Sequence, residues 1–287
     1  GNVADPPNGT STANSDAFGG GIYVGFNASA AITGNTFKAN RAGDPTKTFQ
    51  TSGGGGVDDS STVTVVETKI SGNLFTGNLV GDAGGGLSVS EYVSTGVTPS
   101  RGTIDNNIFD TNTATDGGAI DVGETRAKFY NNTIHNNTAR GSGGAIFFGA
   151  PVTASNVAEF VNNLVTSNQV TGTGGGGAFY VDVATNPIVR NSDLWGNTPT
   201  NVAGSKTDAS YIGLNGVISV DPLYVNRNAV PPDYHLLTAS PVIEVGDNTV
   251  AAALLTDCDG APRIQDKDGN GVATVDMGAF EFSPDFD

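Results

Sequence analysis

The sequence predicts an all-β fold: a right-handed parallel β-helix, a solenoid, with a C-terminal cap. Two recurring phrases predict it. Gly-Gly, then Gly or Ala, then an apolar residue, begins at Gly19, Gly54, Gly84, Gly117, Gly143 and Gly176, at intervals of 26 to 35 residues. Each copy is followed by a longer phrase, apolar-x-x-Asn-x-apolar-x-x-Asn, and only one of its twelve Asn slots is changed, to Ser192. Recurrence at this period marks stacked supersecondary units.

Each phrase has a structural reason. After the glycines, apolar residues alternate, as in Ile22 and Val24, Ile120 and Val122, or Phe179 and Val181. Period two is a strand with one buried face. So short a strand cannot bury that face alone, and stacking coil on coil gives parallel sheets around one core. Right-handedness follows from the general chirality of parallel crossovers. The glycine pairs suit a corner that needs positive φ or close backbone approach. The asparagines predict two amide ladders, Asn35, Asn73, Asn107, Asn132, Asn163 and Asn40, Asn78, Asn112, Asn137, Asn168, Asn197. In each, one side chain donates to the next and satisfies buried turn backbone.

The chain divides accordingly. Residues 1–17 are expected as a flexible N-terminal segment and 18–197 as the helix. Residues 198–287 are expected as irregular last coils and the cap of the same domain, because a solenoid's last coil must be covered. The repeats begin almost at once, which predicts end-to-end self-assembly or packing on a neighbouring domain.

Composition restricts the partners. The 287 residues carry a formal net charge of −16, with 41 Gly and only 15% charged residues. Nucleic acid is therefore excluded as a partner, and an anionic membrane surface is a poor one. No apolar run approaches membrane-spanning length. Cys258, the single cysteine, allows no intrachain disulfide. Scarce lysine beside abundant Asn, Gly and Thr points to an extracellular or cell-surface protein.

The strings Gly-Gly-Ala-Ile at Gly117 and Gly143, with Phe-x-x-Asn at Phe37–Asn40, Phe75–Asn78 and Phe109–Asn112, resemble the repeats of chlamydial polymorphic outer-membrane proteins. The resemblance covers about residues 19–197. Ser240-Pro241-Val242-Ile243-Glu244-Val245-Gly246 and Asp276-Met277-Gly278-Ala279-Phe280-Glu281 resemble the closing segment of bacterial surface β-helix proteins of the choice-of-anchor type. These resemblances imply surface exposure and adhesion.

Two places could carry chemistry. On the strand after each glycine pair, the outward position holds Tyr23, Asp58, Ser88, Asp121, Phe147 and Tyr180. Phe147 and Tyr180, beside Asp121 and Asp182, form a shallow sugar-stacking strip or a carboxylate pair for glycoside hydrolysis; an ordinary solvent-exposed or loop-covered sheet face is the competing reading. The second place is the acidic turn Asp266, Asp268, Asn270, whose spacing and Gly271 suit a calcium loop, with Asp257, Asp259 and Asp276 as further oxygen ligands. Met277 stands where a helix-loop-helix calcium site needs Glu. No catalytic residue is assigned. The function expected is adhesion, carbohydrate contact or structural display by a surface-associated or filament-forming protein. The alternative is a secreted polysaccharide lyase or glycoside hydrolase working in a groove along the solenoid.

Overall fold

The computed structural model describes residues 1–4, 17–25, 28–43, 52–61, 67–90, 102–123, 126–149, 157–183, 185–267 and 269–286. They form a right-handed parallel β-helix. Four parallel sheets run its length. The glycine sheet has seven strands, Ile22–Val24, Val57–Asp59, Leu87–Val89, Ile120–Val122, Ile146–Phe148, Phe179–Val181 and Val202–Gly204. The second sheet runs from Ala31–Thr33 to Ile188–Arg190, and the third from Thr36–Lys38 to Asp193–Trp195, six strands each. A fourth, of two-residue strands, runs from Val3–Ala4 to Gln169–Val170.

The period-two pattern explains the core. The middle residue of each second- and third-sheet strand points inward, so Ile32, Ile70, Ile104, Phe129, Phe160 and Val189 stack as one column. Phe37, Phe75 and Phe109 stack as another, with ring centroids 4.9 and 4.6 Å apart. The glycine pairs are steric necessities. Gly117 has φ +60°, and a Cβ on Gly118 would lie 2.1 Å from the carbonyl oxygen of Gly144 in the next coil.

Both amide ladders are present. Asn132 shows the unit: its Oδ1 accepts both the backbone N–H and the Nδ2 of Asn107, each at 3.0 Å. Its own Nδ2 donates to Asn163 Oδ1 and to the Ile104 carbonyl, both at 2.9 Å. Every polar atom of the buried amide is thereby used. The first ladder ends at Ser192, whose hydroxyl accepts the Asn163 N–H. The second runs on to Asn197.

Both ends make contacts that the repeat pattern does not contain. At the N-terminus, Asn2 donates to the Asn40 side chain, and Val3–Ala4 pairs with Arg41–Ala42. Residues 5–16 lie outside the described residues. The C-terminal segment does more than cap the end. Tyr211 and Val217 close the last coil, with Tyr211 edge-on to Phe179. From about residue 220 the chain turns back and lies along the flank. Tyr224, Tyr234, Leu236, Val242, Met277 and Phe282 pack there against Leu164 as a second core.

The reason is the outer face of the third sheet. Its later strands carry outward residues such as Thr133, His135, Leu164 and Thr166, which the segment buries. Asparagines hold it at the second corner. Asn106, Asn131, Asn162 and Asn191, all with positive φ, donate to the carbonyls of Thr256, Asp276, Asp247 and Val245. Arg263 is buried in the same seam, bonded to Glu281, Asn106 and Ala279. At the other end, Ile22–Val24, Ala31–Thr33 and Thr36–Lys38 are the last strands of their sheets. Among the described residues, no helix is long and apolar enough to cross a membrane.

Candidate functional site

Strand register brings Asp58, Ser88, Asp121, Phe147 and Tyr180 into a single outward column on the glycine sheet, with Ala203 following. The column is not uniformly exposed. Asp58 and Ser88 are buried, while Asp121, Phe147 and Tyr180 are half-buried. A ridge leading into the glycine corners walls the lower part: the Cβ position of Gly53 lies 2.6 Å from Asp58 Oδ2 and 3.2 Å from Ser88 Oγ. The ridge is a ribbon of its own, pairing Ser52–Gly53 with Ala17–Phe18 and bridging onward to Ala83 and Asp116. The column is thus the floor of a trough walled on one side.

The trough is acidic. Burial, then the carboxylates of Asp82, Asp58 and Asp116, push the Asp121 carboxyl up to about 7, against a Ser88 hydroxyl that donates to it at 3.4 Å. Burial pushes Asp58 up to about 6, opposed by the Ser60 hydroxyl at 2.7 Å. Burial also raises Asp82 and Asp116, the latter despite accepting the Ser142 N–H at 2.7 Å. Among the described residues, the charges acting on Asp121 are carboxylates, so proton uptake relieves the repulsion. The sequence reading missed Asp82 and Asp116. Their signal was position, since Asp116 abuts the glycine pair at Gly117 and Asp82 precedes the pair at Gly84 by two residues.

Above the acids sit the aromatics. The Phe147 and Tyr180 rings lie parallel, 3° apart in plane, with centroids 5.4 Å apart. They therefore face each other along the helix axis and do not turn their faces outward together. Phe147 supports Tyr180 from below. The next position in register is Ala203, too small to cover the far face of Tyr180. Asp182 stands apart: it lies past the strand end, where its carboxylate accepts the Val183 N–H.

The proposed calcium residues do not converge. Asp257 is buried and accepts the N–H groups of Asp259, Ala261 and Glu281. Asp276 accepts those of Glu244 and Phe282. Asp259 bonds His235 Nε2 at 2.7 Å, while Asp233 holds Nδ1 at 2.6 Å. Asp266 and Asn270 accept from Gly271 and Val272 in their own turn. Asp268 lies outside the described residues. Among the described residues, no three His, Cys, Asp or Glu side chains group to hold a metal ion. The described oxygens of this set cap backbone N–H groups or bond His235. Asn-x-Ser/Thr, the glycosylation acceptor pattern, stands at Asn8, Asn27, Asn131 and Asn136; Asn131 is fully buried in the flank seam, Asn136 is exposed, and Asn8 and Asn27 lie outside the described residues.

A family model described as a right-handed beta helix region matches residues 9–156. No curated protein and no solved structure matches the chain.

Proposed function

The chain belongs to the right-handed β-helix family, and from that premise we propose that it is an extracellular, surface-associated protein that contacts carbohydrate through the trough on its glycine sheet. The observation that carries this is the half-exposed Tyr180 ring, backed by Phe147 and uncovered at Ala203. A sugar's C–H face stacks on such a ring, while carboxyl groups near half-protonation both donate to and accept from hydroxyls. Surface location is supported by scarce lysine beside abundant Asn, Gly and Thr and by the resemblance of the repeats to those of surface-exposed proteins.

The test is affinity electrophoresis against neutral polysaccharides such as xylan and hydroxyethylcellulose. Tyr180→Ala should weaken retention about tenfold, and Phe147→Ala by less, at unchanged melting temperature. Equal retention of wild type and Tyr180→Ala would sink the reading. The raised Asp121 and Asp58 carboxyls favour one second reading, glycoside hydrolysis, since a carboxylic acid still protonated near neutrality serves as a general acid. Release of reducing ends, lost in Asp121→Asn, would establish that reading in place of simple binding.

A further inference from the structure

The C-terminal segment stops short of covering the whole outer face of the third sheet, and where it stops there is a cleft of about 700 Å³. That is the size of small-molecule sites in general. Register builds the floor in two columns. Thr36, Leu74 and Ile108 form one, and Lys38, Thr76 and Asp110 the other. The wall is the stretch 230–232 with Tyr234. In the following coils the positions equivalent to Leu74 and Ile108 are Thr133 and Leu164, both buried under the segment. Leu74 and Ile108 are only half-buried, and Val230 at the rim is 99% exposed. Apolar surface is thus presented from both sides of a gap that the described residues do not fill.

The charges around the gap are unequal in availability. Arg227 is committed, bonded to Asp221 at 3.0 Å and lying 5.0 Å over the Trp195 ring. Asp110 is buried, accepts the Tyr234 hydroxyl at 2.8 Å, and is pushed toward its neutral form by burial. Lys38 is exposed at the open end of the second column, and no carboxylate among the described residues pairs with it. The cleft therefore has an apolar floor, a line of threonine hydroxyls and one uncommitted cation.

We propose that this cleft is a ligand site for a small amphipathic carboxylate, its apolar body on Leu74, Ile108 and Pro231 and its carboxylate on the Lys38 ammonium. The apolar body removes the half-exposed side chains from water. The charge gains a partner at the open end of the cleft, where the seated apolar body holds the carboxylate within reach of the ammonium. A dianion would need a second free cation, and Arg227 is not free. The site lies on a different sheet from the aromatic trough and stands independently of it.

The test uses isothermal titration calorimetry with 4-phenylbutyrate, 4-phenylbutanol and inorganic phosphate. The acid should bind, the alcohol should bind about tenfold more weakly or worse, and phosphate should give no heat. Lys38→Met, at an exposed position, should keep the melting temperature and erase the preference for acid over alcohol. Leu74→Thr should weaken both organic probes together. Equal binding of acid and alcohol, phosphate binding as tightly as the acid, an acid affinity untouched by Lys38→Met, or no acid binding up to millimolar concentration would each overturn the proposal.

Discussion

The first two coils and the four that follow share one repeat but have different outer surfaces. In coils three to six, the C-terminal segment lies against the third sheet and the corner before it. In coils one and two, the described residues leave that face open as the cleft. One column of residues records the difference. The left-handed corner just before the first ladder is Gly34 and Gly72 in the bare coils, and Asn106, Asn131, Asn162 and Asn191 in the clad ones. Both residue types tolerate positive φ. Only asparagine adds an amide that can hold a passing backbone, and each of the four does so. A position under one conformational demand was thus filled according to a second demand, which exists only where the segment runs.

The largest effect should separate the two regions through the ladder itself. Asn132→Ala removes the acceptor of two Asn107 donors and leaves the Ile104 carbonyl without its side-chain donor, all in buried surroundings. Orphaned buried groups cost about 1–3 kcal/mol each, so a loss of about 3 kcal/mol or more is expected in urea unfolding. Asn35→Ala, at an exposed rung, should cost less than about 1 kcal/mol. Equal costs would mean that the bare and clad coils are held alike.

The next effect tests the docking column. Asn131→Gly keeps the positive φ but removes the Nδ2 bonds to Asp276 and Gly278, at 3.0 and 3.3 Å. It should lower stability by about 1–2 kcal/mol and speed amide exchange around Asp276 to Gly278. The converse change, Gly72→Asn, meets no atom within 4 Å of the new Cβ and should stay within about 0.5 kcal/mol of wild type. A neutral Asn131→Gly would reduce the docking asparagines to conformational convenience.

These contrasts also mark what was legible in the sequence. The core columns, glycine corners and ladders could be read because each is a local demand repeated every coil. Ile70 or Asn107 needs the same residue type above and below it, so periodicity exposes both. The docking asparagines sit next to the ladder asparagines, and in Asn106-Asn107 or Asn131-Asn132 a doubled letter conceals two jobs. The burial of Asp58 and Ser88 depends on the ridge through Ser52 and Gly53, a relation across coils that no strand pattern contains. The acidic strings at Asp257 and Asp276 could not be told from metal ligands by spacing, since either role asks only for carboxylate oxygen. An irregular segment has unpaired backbone N–H groups, and here those groups take the oxygens.

The smallest effect concerns protons, and it again sets the clad flank against the open trough. Asp193 is buried beneath the segment, with one oxygen accepting the Val220 N–H at 2.9 Å and the other without a partner, and burial pushes its carboxyl up to about 8. In the trough, Asp121 and Asp58 are pushed up to about 7 and about 6. All three folded values lie above the ordinary carboxylate value of 3.8, so the folded chain holds protons that the unfolded chain has released. Their stabilisation is complete below about pH 4 and is lost as pH rises through about 6 to 8. The melting temperature should therefore be lower at pH 8.5 than at pH 5, and the smaller net charge at the lower pH acts in the same direction. Asp193→Asn separates the two causes. It keeps an acceptor for Val220 and changes the global charge by one unit, yet it should raise the melting temperature at pH 8.5 by about 2 °C while leaving pH 5 nearly unchanged. Asp121→Asn, where the Ser88 hydroxyl already donates to the carboxyl and the folded value is nearer the ordinary one, should do the same to a lesser degree. If both variants shift the two pH values equally, the dependence belongs to net charge and not to these buried carboxyls.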